Sequence, residues 1–289
     1  MSEANELPPF SPFGISFYFS NMLRRFFIGL AASLGLMANA QLSDSLALAR
    51  ITKIVEAKMA LEEVQGAAIC LIRNDSILDS LFFGYADLKT KAPVDAETKF
   101  RWASISKPVT ALAAMQLVEQ GRLDLQQPAM NYFPAFPEKK KGNPTVRQVM
   151  CHQAGINSYC LDANNKPVCR WNLDHYKGQL GKAPWDADLS TETFRDFPLI
   201  HPPGSKYRYT TFGYNLLGAI IGKVTERNFV DHIGENVFEP LGLNSVQPDY
   251  QSVDIPGRAT GYKRKFGKII EDVDSDVSWK VPGGGLISN

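Results

Sequence analysis

The pattern of hydrophobic and polar residues along the chain predicts a helix, a hairpin and then further helices. Apolar residues recur at helical spacing over Leu46–Val64, which predicts an amphipathic helix. Two strand-like segments, Ala67–Ile72 and Ile77–Tyr85, flank the polar pair Asn74-Asp75 and predict a β-hairpin. A further helix is predicted to begin at about Ser104. We expect it to stop at Gly121, because glycine commonly follows the end of a helix.

The second half of the chain is predicted to be mainly helical. Short helical stretches, Pro144–Cys151 and Thr191–Phe197, interrupt a region rich in Pro, Asn, Asp and Gly. Longer apolar patterns predict helices over Gly213–Thr225 and Phe229–Phe238. The helix that opens at Ser104 is apolar on nearly all sides, so we expect it to be the buried central helix. This order of elements predicts an α+β fold, an α/β layered domain in which the hairpin is the one visible piece of sheet.

The first forty residues have the organisation of a signal peptide. Arg24-Arg25 precedes the apolar run Phe26–Met37, and Ala38-Asn39-Ala40 offers small residues for cleavage. We predict that translation starts at Met22, that 1–40 is a leader cleaved after Ala40, and that 41–289 is a single catalytic domain. The apolar run is shorter than the ~20 residues of a bilayer-spanning helix, so we expect a periplasmic or secreted protein without a stable membrane anchor. The alternative is a surface amphipathic helix.

Composition narrows the class of partner. The chain has 289 residues, of which 44% are hydrophobic, and 31 basic residues balance 30 acidic ones. Such a balance is typical of a globular protein and argues against nucleic acid as a partner. The one dense basic run, Lys139-Lys140-Lys141, is predicted to be a solvated loop. The four histidines form no metal-ligand pair at helical spacing, so neither a metal nor another cofactor is expected.

The four cysteines receive separate interpretations. Export would place them in an oxidising compartment, where Cys160 and Cys169 form a candidate disulfide across a loop-like segment. Cys70 lies in an apolar segment and is predicted to be a buried small hydrophobe. Cys151 stands beside His152, but adjacent residues rarely join their side chains by a hydrogen bond, so no catalytic Cys/His pair is predicted.

The tetrad Ser104-Ile105-Ser106-Lys107 carries the candidate chemistry. A serine and a lysine three residues apart on a helix share one face, which places a hydroxyl beside an amine. Burial favours the neutral amine, which can accept the proton of the serine. The N–H groups at the start of a helix can also stabilise developing negative charge. This is the only Ser-x-x-Lys in the chain, and it predicts Ser104 as nucleophile and Lys107 as its base partner.

Several segments resemble the serine beta-lactamase-like family, which holds class C beta-lactamases, DD-peptidases and related esterases. The resemblance runs from about residue 52 to 289, and Tyr209–Gly218 is most similar to the mitochondrial beta-lactamase-like serine protease branch. It implies a beta-lactamase/transpeptidase-like fold with an antiparallel sheet and a helical subdomain. The other segments that carry the resemblance are Phe100–Lys107, Gly121–Leu125, Val149–Ile156, Pro203–Tyr209 and Phe238–Leu243.

The resemblance also implies roles for individual residues. Tyr209 matches the tyrosine that moves a proton between nucleophile and leaving group, which requires a neighbouring ammonium because the pKa of free tyrosine is ~10. Lys107 is a candidate for that neighbour. Thr211 stands where the family commonly has asparagine and is a candidate substrate-binding residue; its lack of an amide weakens the case for beta-lactam or D-Ala-D-Ala recognition. His152 is expected to be structural, with a catalytic role as the alternative.

The family's third motif, a Lys- or His-x-Gly on a late strand, is not identified after Tyr209. We expect its strand to lie downstream of Asn289, which would leave the domain incomplete at its C-terminus. On this hypothesis no further strand from 86–289 pairs beside the hairpin, one side of the cleft stays open, and the chain as it stands is impaired as an enzyme.

These observations predict a serine hydrolase that forms an acyl-enzyme on a peptide, ester or beta-lactam carbonyl. No Gly-x-Ser-x-Gly occurs in the chain, so an alpha/beta-hydrolase nucleophile is unsupported. The alternatives are a non-catalytic penicillin-binding-like sensor and a self-assembling scaffold on the same fold. In each case the expected partner is a small molecule or a peptide.

Overall fold

The computed structural model describes residues 44–158, 187–272 and 276–289. The predicted leader and the candidate disulfide between Cys160 and Cys169 lie outside these ranges, so both stay predictions. None of the helices within the described ranges is long and apolar enough to cross a membrane.

The chain divides into two units, Met1–Val64 and Gln65–Asn289. The described part of the first unit is one helix, α1, over residues 44–62. This confirms the helix predicted from its apolar periodicity. Lys58 and Glu62, one turn apart, form an exposed ion pair on it.

The second unit opens with the predicted hairpin. Strand β1 (Gly66–Arg73) pairs antiparallel with β2 (Ser76–Asp87). Both residues of the intervening turn, Asn74 and Asp75, have positive φ angles, 50° and 58°, as a tight two-residue hairpin turn requires. A third strand, β3 (Ala92–Pro93), pairs with the far end of β2. The expectation that no further strand would pair beside the hairpin was therefore wrong.

Two more sheets come from short strands whose pairing the sequence pattern did not predict. One has the order β4-β8-β5, so β8 pairs antiparallel with both neighbours, and the other is a β6-β7 hairpin. Strands of two to four residues are too short to show an alternating pattern, which is why the sequence suggested the first hairpin alone. The strands are β4 (Phe100–Arg101), β5 (Gln247–Pro248), β6 (Tyr262–Lys265), β7 (Lys268–Glu271) and β8 (Leu286–Ser288).

Most predicted helices of the second unit are confirmed. The stretch predicted over Thr191–Phe197 is displaced: the helix ends at Thr191 and turns follow it. A 3₁₀ turn, Ala103–Ile105, precedes α2, and a π-helical turn, Gly234–Phe238, continues α7. The helices are α2 (Ser106–Glu119), α3 (Ala129–Tyr132), α4 (Val146–Met150), α5 (Ala187–Thr191), α6 (Thr211–Thr225), α7 (Phe229–Ile233) and α8 (Val281–Gly284).

Helix α6, and not α2, is the buried central helix. Every residue of α6 from Thr211 to Ile221 is buried, and α6 packs against α2, α4, α5 and α8. On α2, Leu117 is fully buried, whereas Leu112 and Met115 are 46% and 43% exposed. The prediction for α2 was wrong because apolar side chains make a helix suitable for burial but do not determine how much of it is covered. That depends on the elements that pack against it.

Two side chains have an exposure opposite to the predicted one. Cys70 is a free, exposed cysteine, because the alternation of β1 puts it on the same face as Ile72, which is 68% exposed. Lys139 is only 7% exposed. Its amine donates to the carbonyl oxygen of Arg195 and lies 4.7 Å from the ring centroid of Phe136, so this residue of the basic run packs into the fold.

Candidate active site

The chain enters the site along β4. Phe100 and Arg101 pair with β8, and the N–H of Trp102 donates to the carbonyl oxygen of Leu286 at 2.9 Å. Ala103 then adopts a φ of 46°, a left-handed conformation that is uncommon for a residue with a Cβ and stores strain. A strained turn held by a strand pairing therefore presents Ser104, which is exposed.

A buried carboxylate anchors the residue that begins this approach. Asp249 is fully buried, in contact with the guanidinium of Arg101 and 2.7 Å from that of Arg258. Two guanidinium groups compensate the charge of a carboxylate that would be costly to bury alone. The N–H of Asp249 also donates to the carbonyl oxygen of Gly285 at 2.8 Å. The network therefore joins β4 to the glycine-rich segment that contacts the site.

Lys107 lies in the first turn of α2 and is 4% exposed. Its Nζ atom is 3.3 Å from the Oγ atom of Ser104 and 2.5 Å from the carbonyl oxygen of Gly283, and it donates to both. The neighbouring Ser106 accepts a hydrogen bond from the N–H of Leu286 at 3.1 Å, which fixes the start of α2 to β8. The structure thus brings together the hydroxyl and the amine that the sequence paired.

Tyr209 completes a three-residue cluster with them. The Nζ atom of Lys107 lies 4.7 Å from the centroid of its ring, and the phenol is hydrogen-bonded with Lys107 and Ser104. Burial raises the pKa of Tyr209, but these hydrogen bonds and the positive charge of Lys107 outweigh it, so the pKa falls below its usual value of 10. The phenol is therefore easier to ionise than a free tyrosine.

His152 packs directly against this cluster, which the sequence did not predict. Its ring centroid lies 4.4 Å from that of Tyr209 and 5.2 Å from that of Tyr214. Burial, together with the nearby charge of Lys107, lowers the pKa of His152 to about 4. The imidazole is consequently neutral at neutral pH. Its place in the segment Val149–Ile156, which carries the family resemblance, was the available signal.

A glycine run supplies the carbonyl that holds Lys107. A Cβ atom added to Gly283 would lie 2.6 Å from the Cγ2 atom and 2.8 Å from the carbonyl oxygen of Thr211, distances that real Cβ atoms do not tolerate. Thr211 itself is 5% exposed, and its substrate-binding role stays a prediction. Sequence reasoning missed Gly283, although three successive glycines often mark a close approach of two backbones.

Two tripeptides after Tyr209 do have the spacing of the family's third motif. His232-Ile233-Gly234 lies where α7 ends, and Lys265-Phe266-Gly267 runs from the last residue of β6 into the turn before β7. The motif requires an extended strand, and neither tripeptide runs along one. Neither therefore replaces the third motif.

The described residues contain no group of three or more His, Cys, Asp or Glu side chains that could hold a metal ion. What the arrangement offers is a hydroxyl, an amine and a phenol of lowered pKa in mutual contact. A hydroxyl becomes a useful nucleophile when a proton acceptor lies within hydrogen-bond reach. The geometry is therefore suited to covalent catalysis.

Comparison with solved structures identifies the fold. The octameric penicillin-binding protein homologue from Pyrococcus abyssi superposes with a TM-score of 0.69 and 27% identity, over 84% of this chain and 53% of that one. EstCE1, a hydrolase with promiscuous acyltransferase activity, also gives a TM-score of 0.69, with 22% identity over 84% of this chain and 69% of its own. The predicted α+β, beta-lactamase/transpeptidase-like fold is confirmed.

Comparison of sequences identifies the family. A beta-lactamase family model matches residues 51–289. The mitochondrial serine beta-lactamase-like protein LACTB of Bos taurus is 30% identical over 71% of this chain and 48% of its own length. The chain thus spans about half the length of the curated relatives it matches. The chain therefore belongs to the beta-lactamase family.

Proposed function

We propose that this protein transfers acyl groups through a covalent acyl-enzyme on Ser104. The observation that carries the proposal is the contact of Lys107 Nζ with Ser104 Oγ at 3.3 Å. A lysine that is 4% exposed is unusual unless it is paired, and here its partners are the candidate nucleophile and a backbone carbonyl. Family membership supports the same chemistry.

Tyr209 is the proposed proton acceptor of the acylation step. The phenolate takes the proton of Ser104 while the serine oxygen bonds to the substrate carbonyl carbon and the carbonyl electron pair moves onto its oxygen. As the tetrahedral intermediate collapses, the phenol gives this proton to the leaving group, and the acyl group stays on Ser104. Water then repeats the sequence and releases an acid. Lys107 supports the phenolate by its charge, consistent with the lowered pKa of Tyr209.

The proposed substrates are peptides, esters and beta-lactams, which share an activated or amide-like carbonyl. The comparisons do not narrow this range: EstCE1 is a hydrolase with promiscuous acyltransferase activity, and the Pyrococcus abyssi protein is a penicillin-binding protein homologue. Thr211 in place of asparagine offers no side-chain amide for a substrate carbonyl. We therefore expect esters to be acylating substrates at least as good as beta-lactams.

Self-assembly is a second candidate property. The Pyrococcus abyssi homologue, similar over 84% of this chain, is an octamer. A self-assembling protein can also retain the catalytic cluster, so the two properties are compatible. Sizing by light scattering tests it. A single mass equal to that of one chain at every protein concentration would remove this candidate.

We also propose that the protein is exported. The support is the order of Arg24-Arg25, the apolar run Phe26–Met37 and the small residues Ala38-Asn39-Ala40. The mammalian relative is named as mitochondrial, so the comparison gives no support to export.

Labelling with a fluorophosphonate tests the proposed function. The full chain should become labelled once, on Ser104, and Ser104→Ala should abolish labelling. Ser80→Ala is the matched control, because Ser80 is an exposed serine of β2, and it should label like the wild type. A label that maps to another serine, or that survives Ser104→Ala, would refute the assignment.

A further inference from the structure

We infer that His152 is a positioning residue that holds Tyr209 in reach of Ser104 and Lys107; the inference rests on the proposed function. The structure gives His152 contacts with the main chain on both sides of Tyr209 and with its ring.

The main chain around Tyr209 is bound to His152 at two points. The N–H of Arg208 donates to the carbonyl oxygen of His152 at 2.8 Å. The N–H of Thr210 donates to the Nδ1 atom of His152 at 3.2 Å. The two residues that flank Tyr209 are therefore both hydrogen-bonded to one residue, once through its backbone and once through its side chain.

The ring of His152 supports the phenol ring from the side. Its centroid is 4.4 Å from that of Tyr209, with an angle of 42° between the planes. The ionisable groups around the imidazole among the described residues are Lys107, Tyr207, Tyr209 and Tyr214. Because Tyr209 is 42% exposed, its own burial does not fix its position, and the hydrogen bonds from Arg208 and Thr210 to His152 hold the main chain on both sides of it.

The side-chain hydrogen bond requires a neutral imidazole. An Nδ1 atom accepts from an N–H group only when it carries no proton. In protonated His152 the Nδ1–H donor would face the N–H donor of Thr210, and the hydrogen bond would be lost. Burial and the charge of Lys107 keep the pKa of His152 at about 4. The acceptor is therefore available at neutral pH.

The backbone of His152 limits which residues can replace it. Its φ of 58° is left-handed, a conformation that asparagine tolerates better than most residues. Asparagine also carries a side-chain oxygen that can accept from the N–H of Thr210. His152→Asn thus keeps the acceptor without the ring, and His152→Phe keeps a ring without the acceptor.

The test compares fluorophosphonate labelling rates of the full chain from pH 5 to pH 10. His152→Phe should lower the rate about 10- to 100-fold, the range expected for misplacing a reacting group. It should also move the rising limb of the pH profile upward, because a displaced Tyr209 loses the contacts that lower its pKa. His152→Asn should restore most of the rate and the original limb. His232→Asn, at a buried histidine on α7, is the control and should match the wild type.

Two outcomes overturn the inference. One is a His152→Phe variant that labels with the wild-type rate and pH profile. The other is an equal loss in both His152 variants with no shift of the limb, which would show a packing role alone. Labelling that survives Ser104→Ala would instead remove the proposed function, so the two failures are distinguishable.

A measurement on the wild-type chain covers the case in which His152→Phe does not fold. Nitrogen NMR of histidine-labelled protein reports which ring nitrogen carries the proton. At pH 7 we expect His152 with the proton on Nε2 and an unprotonated Nδ1. A proton on Nδ1 would exclude the hydrogen bond from Thr210 and overturn the inference.

Discussion

At the scale of single residues, Lys107 determines the properties of the cluster. Its amine contacts Ser104 and Gly283 and lowers the pKa of Tyr209. Burial depresses the pKa of His152, and the charge of Lys107 adds to this effect. One cation thus favours an ionised phenol and a neutral imidazole, the two states that the proposed mechanism uses.

Lys107→Met should slow fluorophosphonate labelling of Ser104 about 100-fold or more at neutral pH, the usual range for losing acid–base help. The physical reason is that Tyr209 loses the charge and the hydrogen bond that lower its pKa. Labelling rates measure the effect. Lys140→Met is the matched control, since Lys140 is exposed, and a loss below about threefold in Lys107→Met would contradict the role.

The lowered pKa of His152 predicts that the free energy of unfolding falls as the pH falls. The folded protein takes up a proton on His152 only near pH 4, whereas the unfolded chain does so near pH 6.5. The contribution of His152 to the free energy of unfolding is therefore complete above pH 6.5 and is lost between about pH 6.5 and pH 4. At pH 4.5 the loss amounts to about 2–3 kcal/mol. Urea denaturation at pH 7 and pH 4.5 measures it.

His152→Asn should lose less stability than the wild type between these two pH values, because the titrating group is gone. Burial and two nearby arginines also lower the pKa of His232, so that residue contributes in the same direction in both proteins. An identical pH dependence in the wild type and His152→Asn would contradict the lowered pKa of His152.

At the scale of elements, the site depends on the close approach of α8 to α6. Gly283→Ala would place a Cβ atom 2.6 Å from Thr211 and 3.0 Å from Asn215, so the carbonyl that binds Lys107 must move. We expect a loss of about 1–3 kcal/mol of stability, as for other overpacked positions, and labelling at least about tenfold slower. Thermal denaturation and labelling rates measure the two effects.

Gly234→Ala is the matched control for Gly283→Ala. Gly234 has no atom within 4 Å of an added Cβ and a helical backbone, so alanine should be neutral or stabilise by about 0.5–1 kcal/mol. If both variants behaved alike, the close approach at Gly283 would not be what holds the carbonyl in place.

The sequence predicted the elements whose information is local. The β1-β2 hairpin and α6 show their periodicity within one segment, and Ser104 and Lys107 are brought together by a single helical turn. The pairing of strand β4 has no such signal, because its partner β8 lies far along the chain, 188 residues away in the case of Phe100 and Ser288. The missed elements are those defined by a distant partner.

The same distinction explains which parts of the site were missed. Tyr209 was identified through the family resemblance, and the structure brings it to Ser104. The contribution of Gly283 requires a contact between α8 and α2, and that of His152 requires a contact between the segment after α4 and the segment before α6. No local pattern encodes either contact. The buried position of Lys139 was missed for this reason also, since its acceptor belongs to Arg195.

At the scale of the whole molecule, the leader is open to a direct test. Expression from the full reading frame in a bacterium should yield an exported protein that begins at Gln41, because Ala38-Asn39-Ala40 offers the small residues that a signal peptidase reads. N-terminal sequencing measures it. A mature protein that retains Phe26–Met37 would rule the signal peptide out.

Acylation of Ser104 is the step on which the proposed function depends. Mass spectrometry of the intact chain after mixing with an activated acetate ester tests it most directly, because it observes the intermediate itself. We expect one acetyl group per chain, located on the peptide that contains Ser104 and absent from Ser104→Ala. An acetyl group located on another residue, or no adduct in a folded wild-type protein that also fails to react with the fluorophosphonate, would contradict it.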